Sequence, residues 1–392
     1  MSGSVDLALI SERVWGAVQA LRADDLAPIA QQALGCAHAR VITWRCERLY
    51  GGNRGAGVFR VEGQALCLSA EGQASRPWCA VLKVIRPHPV YQRDDWALEA
   101  QLYQSSVLGQ LPGGLRAPRC YAVEQRADDE WWLWMETIQG RLGTSWERDD
   151  LRRAARRLGE FNGAYLAGHP LPEARWLQAD ALRGYVRRYA PDVPALWEGL
   201  AREHPLVRRM CPPEVAEGLR RVWQATESLL TAVSRLPRLF CHNDAGARNL
   251  FLNLTPDGEE LVAVDWDFAG QGAPGQELAP LCAELTNPGL YSVVEAPALR
   301  EAIYAAYLEG LRGAGWRGDE RQVRLGYTAG MAVRYPVQSA AYPAVRVLDA
   351  TRQVELERYW GWEIGEIMDQ RCAELRALLR IAEEALHLME TV

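Results

Sequence analysis

The chain has 392 residues, 48% apolar and 24% charged, a balance that supports a sizeable core and a division into two lobes or domains. Its net charge of −6 and pI near 5.7 give no electrostatic basis for binding nucleic acid or an anionic membrane, so neither is expected as a partner. The N-terminus lacks the basic flank and apolar run of a signal peptide, no stretch is apolar enough to span a membrane, and nine scattered cysteines form no CxxC pair, which together predict a cytoplasmic protein.

Leu7, Ile10, Val14, Val18 and Leu21 recur at helical spacing and predict mainly helical structure over 5–34. Runs rich in β-formers follow at 40–49, 57–62, 65–69 and 78–85, with the hydrophilic stretch 70–77 read as a hairpin tip. A helix is predicted over 94–108, then strands at 119–123 and 131–137. Beyond Gly140 helical periodicity takes over, at 148–167, 181–190, 213–235, 276–285, 297–311, 321–335 and 354–388. Short β runs at 238–241, 250–252 and 261–264 interrupt it. The fold class expected is α+β: an N-terminal helical segment (1–37), a small β-rich N-lobe (38–140) and a larger, mainly helical C-lobe (141–392).

One compositional bias is informative. The chain carries a single lysine, Lys83, against forty-three arginines. Arginine does not replace lysine where a compact charge on a flexible stem must enter a narrow site, so the surviving lysine marks a position that demands one. Lys83 lies in the apolar run Cys79-Ala80-Val81-Leu82-Lys83-Val84-Ile85, where an unpaired ammonium would be costly. The alternative is a strand-edge lysine that snorkels to water.

The strongest chemical signal is Cys241-His242-Asn243-Asp244-Ala245-Gly246-Ala247-Arg248-Asn249, followed by the apolar run Val262-Ala263-Val264 and then Asp265-Trp266-Asp267. Asp244 and Asp265 taken singly read as turn residues at strand ends. Taken together, a loop holding an aspartate and an asparagine five residues apart, then a second aspartate after an apolar strand, gathers hard oxygen donors of the kind Mg²⁺ shares with phosphates.

His242-x-Asp244-x4-Asn249, with Asp265 sixteen residues further on, resembles the catalytic loop and metal-binding segment of the aminoglycoside phosphotransferase and choline kinase group within the bilobal protein-kinase-like fold. The resemblance covers roughly residues 45–281. It implies an ATP-dependent kinase with Asp244 as the base or orienting group for a substrate hydroxyl, and Asn249 and Asp265 as Mg²⁺ ligands. Glu277 stands where the related segment usually has aspartate, and Asn243 where glycine is common. The same resemblance implies a phosphate-binding Lys83 paired with Glu99 on the next helix, and a glycine-bearing hairpin with Gly52, Gly55 and Gly57 near the nucleotide. It further implies a segment around Glu136 and Ile138 whose backbone meets the base.

Only about eleven residues separate Asp265 from Gln276, which excludes the long activation segment of protein kinases. The partner expected is therefore a small molecule bearing a hydroxyl, such as a sugar, amino sugar or aminoglycoside. A nucleotide-binding pseudokinase and a kinase acting on a macromolecule are the alternatives.

Overall fold

Residue alternation in the first third of the chain becomes a five-stranded antiparallel sheet. The structure, a computed structural model, describes residues 3–50, 57–69, 72–87, 95–190, 193, 203–255, 258–286 and 290–392. Helices α1 (Gly3–Gln19) and α2 (Ala23–Leu34) lead into strands β1 (Arg40–Tyr50), β2 (Gly57–Ser69) and β3 (Gly72–Ile85). Helix α3 (Leu98–Gln104) follows, then β4 (Leu115–Arg116), β5 (Cys120–Ala127) and β6 (Glu130–Met135). The sheet order is β1-β2-β3-β6-β5, so β3 is its central strand.

Period-two alternation sorts the two faces of β3. Trp78, Ala80, Leu82 and Val84 are buried in a core with Phe59 and Val61 of β2, Leu26 and Ile29 of α2, and Val14 and Val18 of α1. Cys79, Val81 and Lys83 occupy the other face and stay partly accessible. Trp15 of α1 stacks on Phe59 at 5.7 Å between ring centroids, with the Arg48 guanidinium 5.3 Å over the Trp15 ring.

The helical remainder contains β7 (Arg141–Leu142), α4 (Arg148–Leu166), α5 (Ala181–Tyr189), α6 (Pro205–Met210) and α7 (Pro213–Ser234). Strands β8 (Leu239–Cys241), β9 (Leu250–Thr255), β10 (Gly258–Ala263) and β11 (Gly270–Gly272) come next. Helices α8 (Ala279–Ala283), α9 (Ala296–Gly313), α10 (Glu320–Arg334), α11 (Pro336–Arg346), α12 (Ala350–Trp360) and α13 (Ile364–Thr391) complete it. Its core joins Leu219, Val222 and Leu229 of α7 to Val333 of α10 and to Ile367 and Leu375 of α13. Among the described residues no helix is long and apolar enough to cross a membrane.

By Cα proximity the chain divides into two compact units: 1–111, 116–140 and 262–267 form the first, and 112–115, 141–261 and 268–392 the second. The fold class is α+β, with the antiparallel sheet in the N-terminal part and helices dominating the rest.

Several boundaries differ from those read in the sequence. The strands at 57–62 and 65–69 are one strand, and β3 begins at Gly72, so 72–77 is paired strand rather than hairpin tip, in register from Ser69↔Gly72 to Gly57↔Val84. The helix over 94–108 shrinks to Leu98–Gln104, because the Ser105 hydroxyl bonds back to the Leu102 carbonyl and Ser105 turns extended. The run 354–388 is two helices, separated by Gly361 in the left-handed region and restarted by a capping box at Glu363. The segment 276–285 is a short helix flanked by 3₁₀ turns.

Candidate active site

In the first unit β3 is hydrogen-bonded on both sides, Lys83 opposite Val58 of β2 and Leu133 of β6, so the lysine backbone has no freedom to shift. Its Nζ donates to Glu99 Oε2, in the first turn of α3, and to Asp265 Oδ1 at 2.6 Å. Glu99 is 1% exposed. Asp265 lies two residues beyond β10 with φ of 67°, a left-handed conformation that a non-glycine residue holds only when its surroundings impose it. Trp266 supplies that constraint. Its indole is fully buried and donates to the Ala263 carbonyl at 2.7 Å, while its backbone N–H donates to Glu99 Oε1 at 3.3 Å.

One ammonium thus serves two carboxylates. Burial works against the Lys83 charge, but Asp265 and Glu99 outweigh it and hold the ammonium above the usual lysine range. Burial pushes the Glu99 carboxyl up, and the Asp265 charge adds to this, against the opposing pull of Lys83.

The other residues expected in this unit are placed as follows. Gly57 opens β2 with φ of 145°, and a Cβ there would sit 2.6 Å from the Phe59 ring, so both backbone and space require glycine. Gly52 and Gly55 lie outside the described residues. Glu136 follows β6 directly; its carboxylate pairs with Arg116 and accepts the Arg119 N–H at 2.8 Å. Its own N–H donates to the Arg119 carbonyl at 2.9 Å, so a base contact from Glu136 would have to use the carbonyl. Ile138 lies in the half-buried irregular segment after it.

In the second unit β8, paired with β11, delivers the loop His242–Asn249. His242 is fully buried, and its Nδ1 accepts the Asp244 N–H at 3.1 Å. Asn243 adopts φ of 63° and is held on every side. Its N–H and that of His242 donate to the Glu277 carboxylate, at 3.1 and 2.7 Å. Its Nδ2 donates to the Phe268 carbonyl at 3.2 Å, and its Oδ1 accepts from Gln276 Nε2 at 2.7 Å. Glu277 is fully buried; burial pushes its carboxyl up to about 7, against the two backbone donors.

Asp244 is 8% exposed. Asn249 Nδ2 donates to both its Oδ2 and its backbone carbonyl, each at 2.9 Å. No hydrogen bond among the described residues engages Asn249 Oδ1, the atom a metal would use. Three neighbours complete the surroundings. Arg334 Nη2 lies 3.3 Å from Asp244 Oδ1, Arg248 Nη2 lies 3.4 Å from Oδ2, and Arg248 Nη1 reaches Glu284 Oε1 at 2.7 Å. The Glu284 carboxylate is packed so closely on Gly246 that a Cβ there would lie 2.5 Å from it.

Asp244 and Asn249 are therefore in direct contact, as are Lys83, Glu99 and Asp265. Asn249 belongs to the second unit and Asp265 to the first. An amide oxygen and a half-exposed carboxylate are the hard donors that Mg²⁺ accepts, so the residue types fit that ion. Sequence reasoning missed Arg334, Arg248, Glu284 and Gln276. Arg248 stands within the 241–249 motif and Gln276 and Glu284 within the predicted helix 276–285, whereas Arg334, one arginine of forty-three, carried no signal.

The "Phosphotransferase enzyme family" matches residues 72–320. A search of curated proteins finds no match. Among solved structures, the chain is similar to a microcompartment-associated aminopropanol kinase (TM-score 0.54, 14% identity, covering 92% of this chain and 99% of that one). It is also similar to choline kinase from Cryptosporidium parvum Iowa II (TM-score 0.51, 11% identity, covering 88% and 90%). At these identities the likeness is one of fold.

Proposed function

Since the chain belongs to the phosphotransferase enzyme family, we propose that it moves the γ-phosphoryl group of ATP, with Mg²⁺, to a hydroxyl of a small molecule such as a sugar, amino sugar or aminoglycoside. The observation that carries this proposal is the Lys83 bridge. The chain's one lysine is fixed on a central strand with its ammonium between Glu99 and Asp265. Such a cation is positioned to exchange a carboxylate partner for a phosphate oxygen, with Glu99 keeping its stem in place.

Asp244 would accept a hydrogen bond from the acceptor hydroxyl and take its proton as the new P–O bond forms, while the bond to the leaving ADP oxygen breaks. Asn249 and Asp265 would hold Mg²⁺. When bound, that ion neutralises charge on the transferring phosphoryl group. Catalysis of this kind rests on positioning and electrostatics, and the strained Asn243 and Asp265 backbones, each held by several bonds, support that role. A small acceptor is supported by the connection 268–275. It is almost entirely buried and pairs through β11 with β8, with no long segment on which a polypeptide substrate could lie.

The test is coupled ADP release with Mg-ATP over a panel of aminoglycosides, amino sugars, sugars, choline-like amines and homoserine, run beside Asp244→Asn. We expect turnover with one class and a loss of about 10²–10⁴-fold in the variant, with nucleotide binding by calorimetry nearly unchanged. ATP binding with no turnover on any acceptor would refute the proposal in favour of a regulatory nucleotide-binding protein. Turnover retained in Asp244→Asn would remove the base from Asp244.

A further inference from the structure

Arg334 closes helix α10, ninety residues beyond the loop that carries Asp244. Its side chain is 6% exposed, and burying a guanidinium is unfavourable unless its hydrogen-bonding groups find fixed partners. Two of those it finds belong to consecutive residues of the loop. Nη1 donates to the Asn243 carbonyl and Nη2 to Asp244 Oδ1 at 3.3 Å. The plane is set by aromatic rings, with the guanidinium carbon 4.3 Å from the Tyr185 ring centroid and 5.4 Å from that of Tyr335.

The geometry points to Arg334 as the positioning residue of Asp244. Three groups act on one carboxylate: Asn249 and Arg248 from within the loop on Oδ2, and Arg334 from outside it on Oδ1. Between them they fix the plane of the carboxylate, which decides the lone-pair direction presented to an acceptor hydroxyl. The bond to the Asn243 carbonyl adds a second function. Asn243 sits at φ of 63°, and Glu277 and Gln276 hold its N–H and side chain but not its carbonyl, which Arg334 takes. Lysine offers a point charge and cannot span both acceptors as a planar fork does. This inference rests on Asp244 being the acceptor-hydroxyl residue, and it assigns Arg334 no contact with substrate.

Arg334→Lys and Arg334→Ala test it, each read three ways. In transfer assays with the acceptor identified from the panel, Arg334→Lys is expected to lower kcat about 10–100-fold, the scale of a small misplacement of a reacting group. Its KM for ATP and acceptor should stay within about threefold of wild type. In Arg334→Ala, added guanidinium should restore part of the lost kcat but leave Asp244→Asn unaffected. Hydrogen exchange should quicken in the peptide spanning 240–250 in both variants, while peptides from α7 and α13 keep wild-type protection.

A merely structural role predicts a different pattern, with protection lost throughout the second unit, kcat and both KM values shifted together and no rescue by guanidinium, and that pattern overturns the proposal. Unchanged kcat in Arg334→Lys overturns it too. If wild-type protein transfers phosphate to nothing, the proposed function fails by itself. The exchange comparison then still decides whether Arg334 orders the loop, and unaltered exchange over 240–250 rejects even that.

Discussion

Lys83 faces Glu99 and Asp265 together, and its ammonium fits because it is compact. A guanidinium in its place is larger and planar, with donors splayed at fixed angles that a strand-anchored stem cannot bring onto both carboxylates at once. Lys83→Arg is therefore expected to lower kcat/KM for ATP at least about tenfold while the melting temperature changes little, checked by initial rates and a thermal scan. Wild-type kinetics in that variant would detach the lone lysine from the reaction. The same residues show why parts of the site were readable. Lys83 stood out by rarity, Glu99 by its place on the following helix, and Asp244 and Asn249 by a local five-residue spacing. Arg334 had neither advantage. It meets Asp244 only because α10 packs against the turn 276–278, a tertiary fact with no local pattern.

At the scale of elements, local physics was legible wherever one period dominated and illegible where two elements met without a break in pattern. The strands at 57–69 and 72–85 looked shorter than they are because Gly63, Gln64 and the polar run Gln73–Pro77 interrupt the apolar alternation, yet cross-strand pairing runs through them. Helix α11 went unread because Pro336 and Pro343 signal a break, although Pro336 occupies the first helical turn, where its missing N–H costs nothing. Gly275 makes the element-scale prediction. It has φ of 84°, its N–H donates to the Tyr307 hydroxyl at 3.2 Å, and a Cβ would collide with the Val323 carbonyl of α10. It also starts the 3₁₀ turn that carries Gln276 and Glu277 to Asn243. Gly275→Ala is expected to destabilise by about 2 kcal/mol or more, read as a midpoint shift in urea, and to lower turnover with it. Full activity with an unshifted midpoint would show that the turn yields without disturbing Asn243.

For the whole molecule, sequence proximity predicted the texture of each part but not the return of 262–267 to the first unit, which follows from Asp265 and Trp266 bonding to Lys83 and Glu99. The charge pattern of the whole chain then sets its response to pH. Carboxylates such as the buried Asp150, the half-buried Glu62 and the exposed Asp369, each bonded to an arginine, titrate below their ordinary values, so the stability they contribute is lost only in acid. The buried carboxyls Glu277, Glu284 and Glu374 are shifted the other way, burial being the first cause in each, with Glu277 at about 7. A carboxyl whose folded value lies above its unfolded one binds more protons in the native state. Its contribution is complete below the unfolded value near 4.5 and is lost as pH rises through the folded value. Between about pH 5 and 7.5 the buried set governs, and the melting temperature is expected to fall across that window. In Glu277→Gln the group cannot titrate, while its amide oxygen can still accept a backbone N–H from His242 or Asn243, so the fall should be shallower by a few degrees, on the order of 1 kcal/mol. Thermal scans of both proteins at half-unit pH steps check this. Parallel profiles would show that Glu277 stays ionised throughout the window, its two backbone donors outweighing burial.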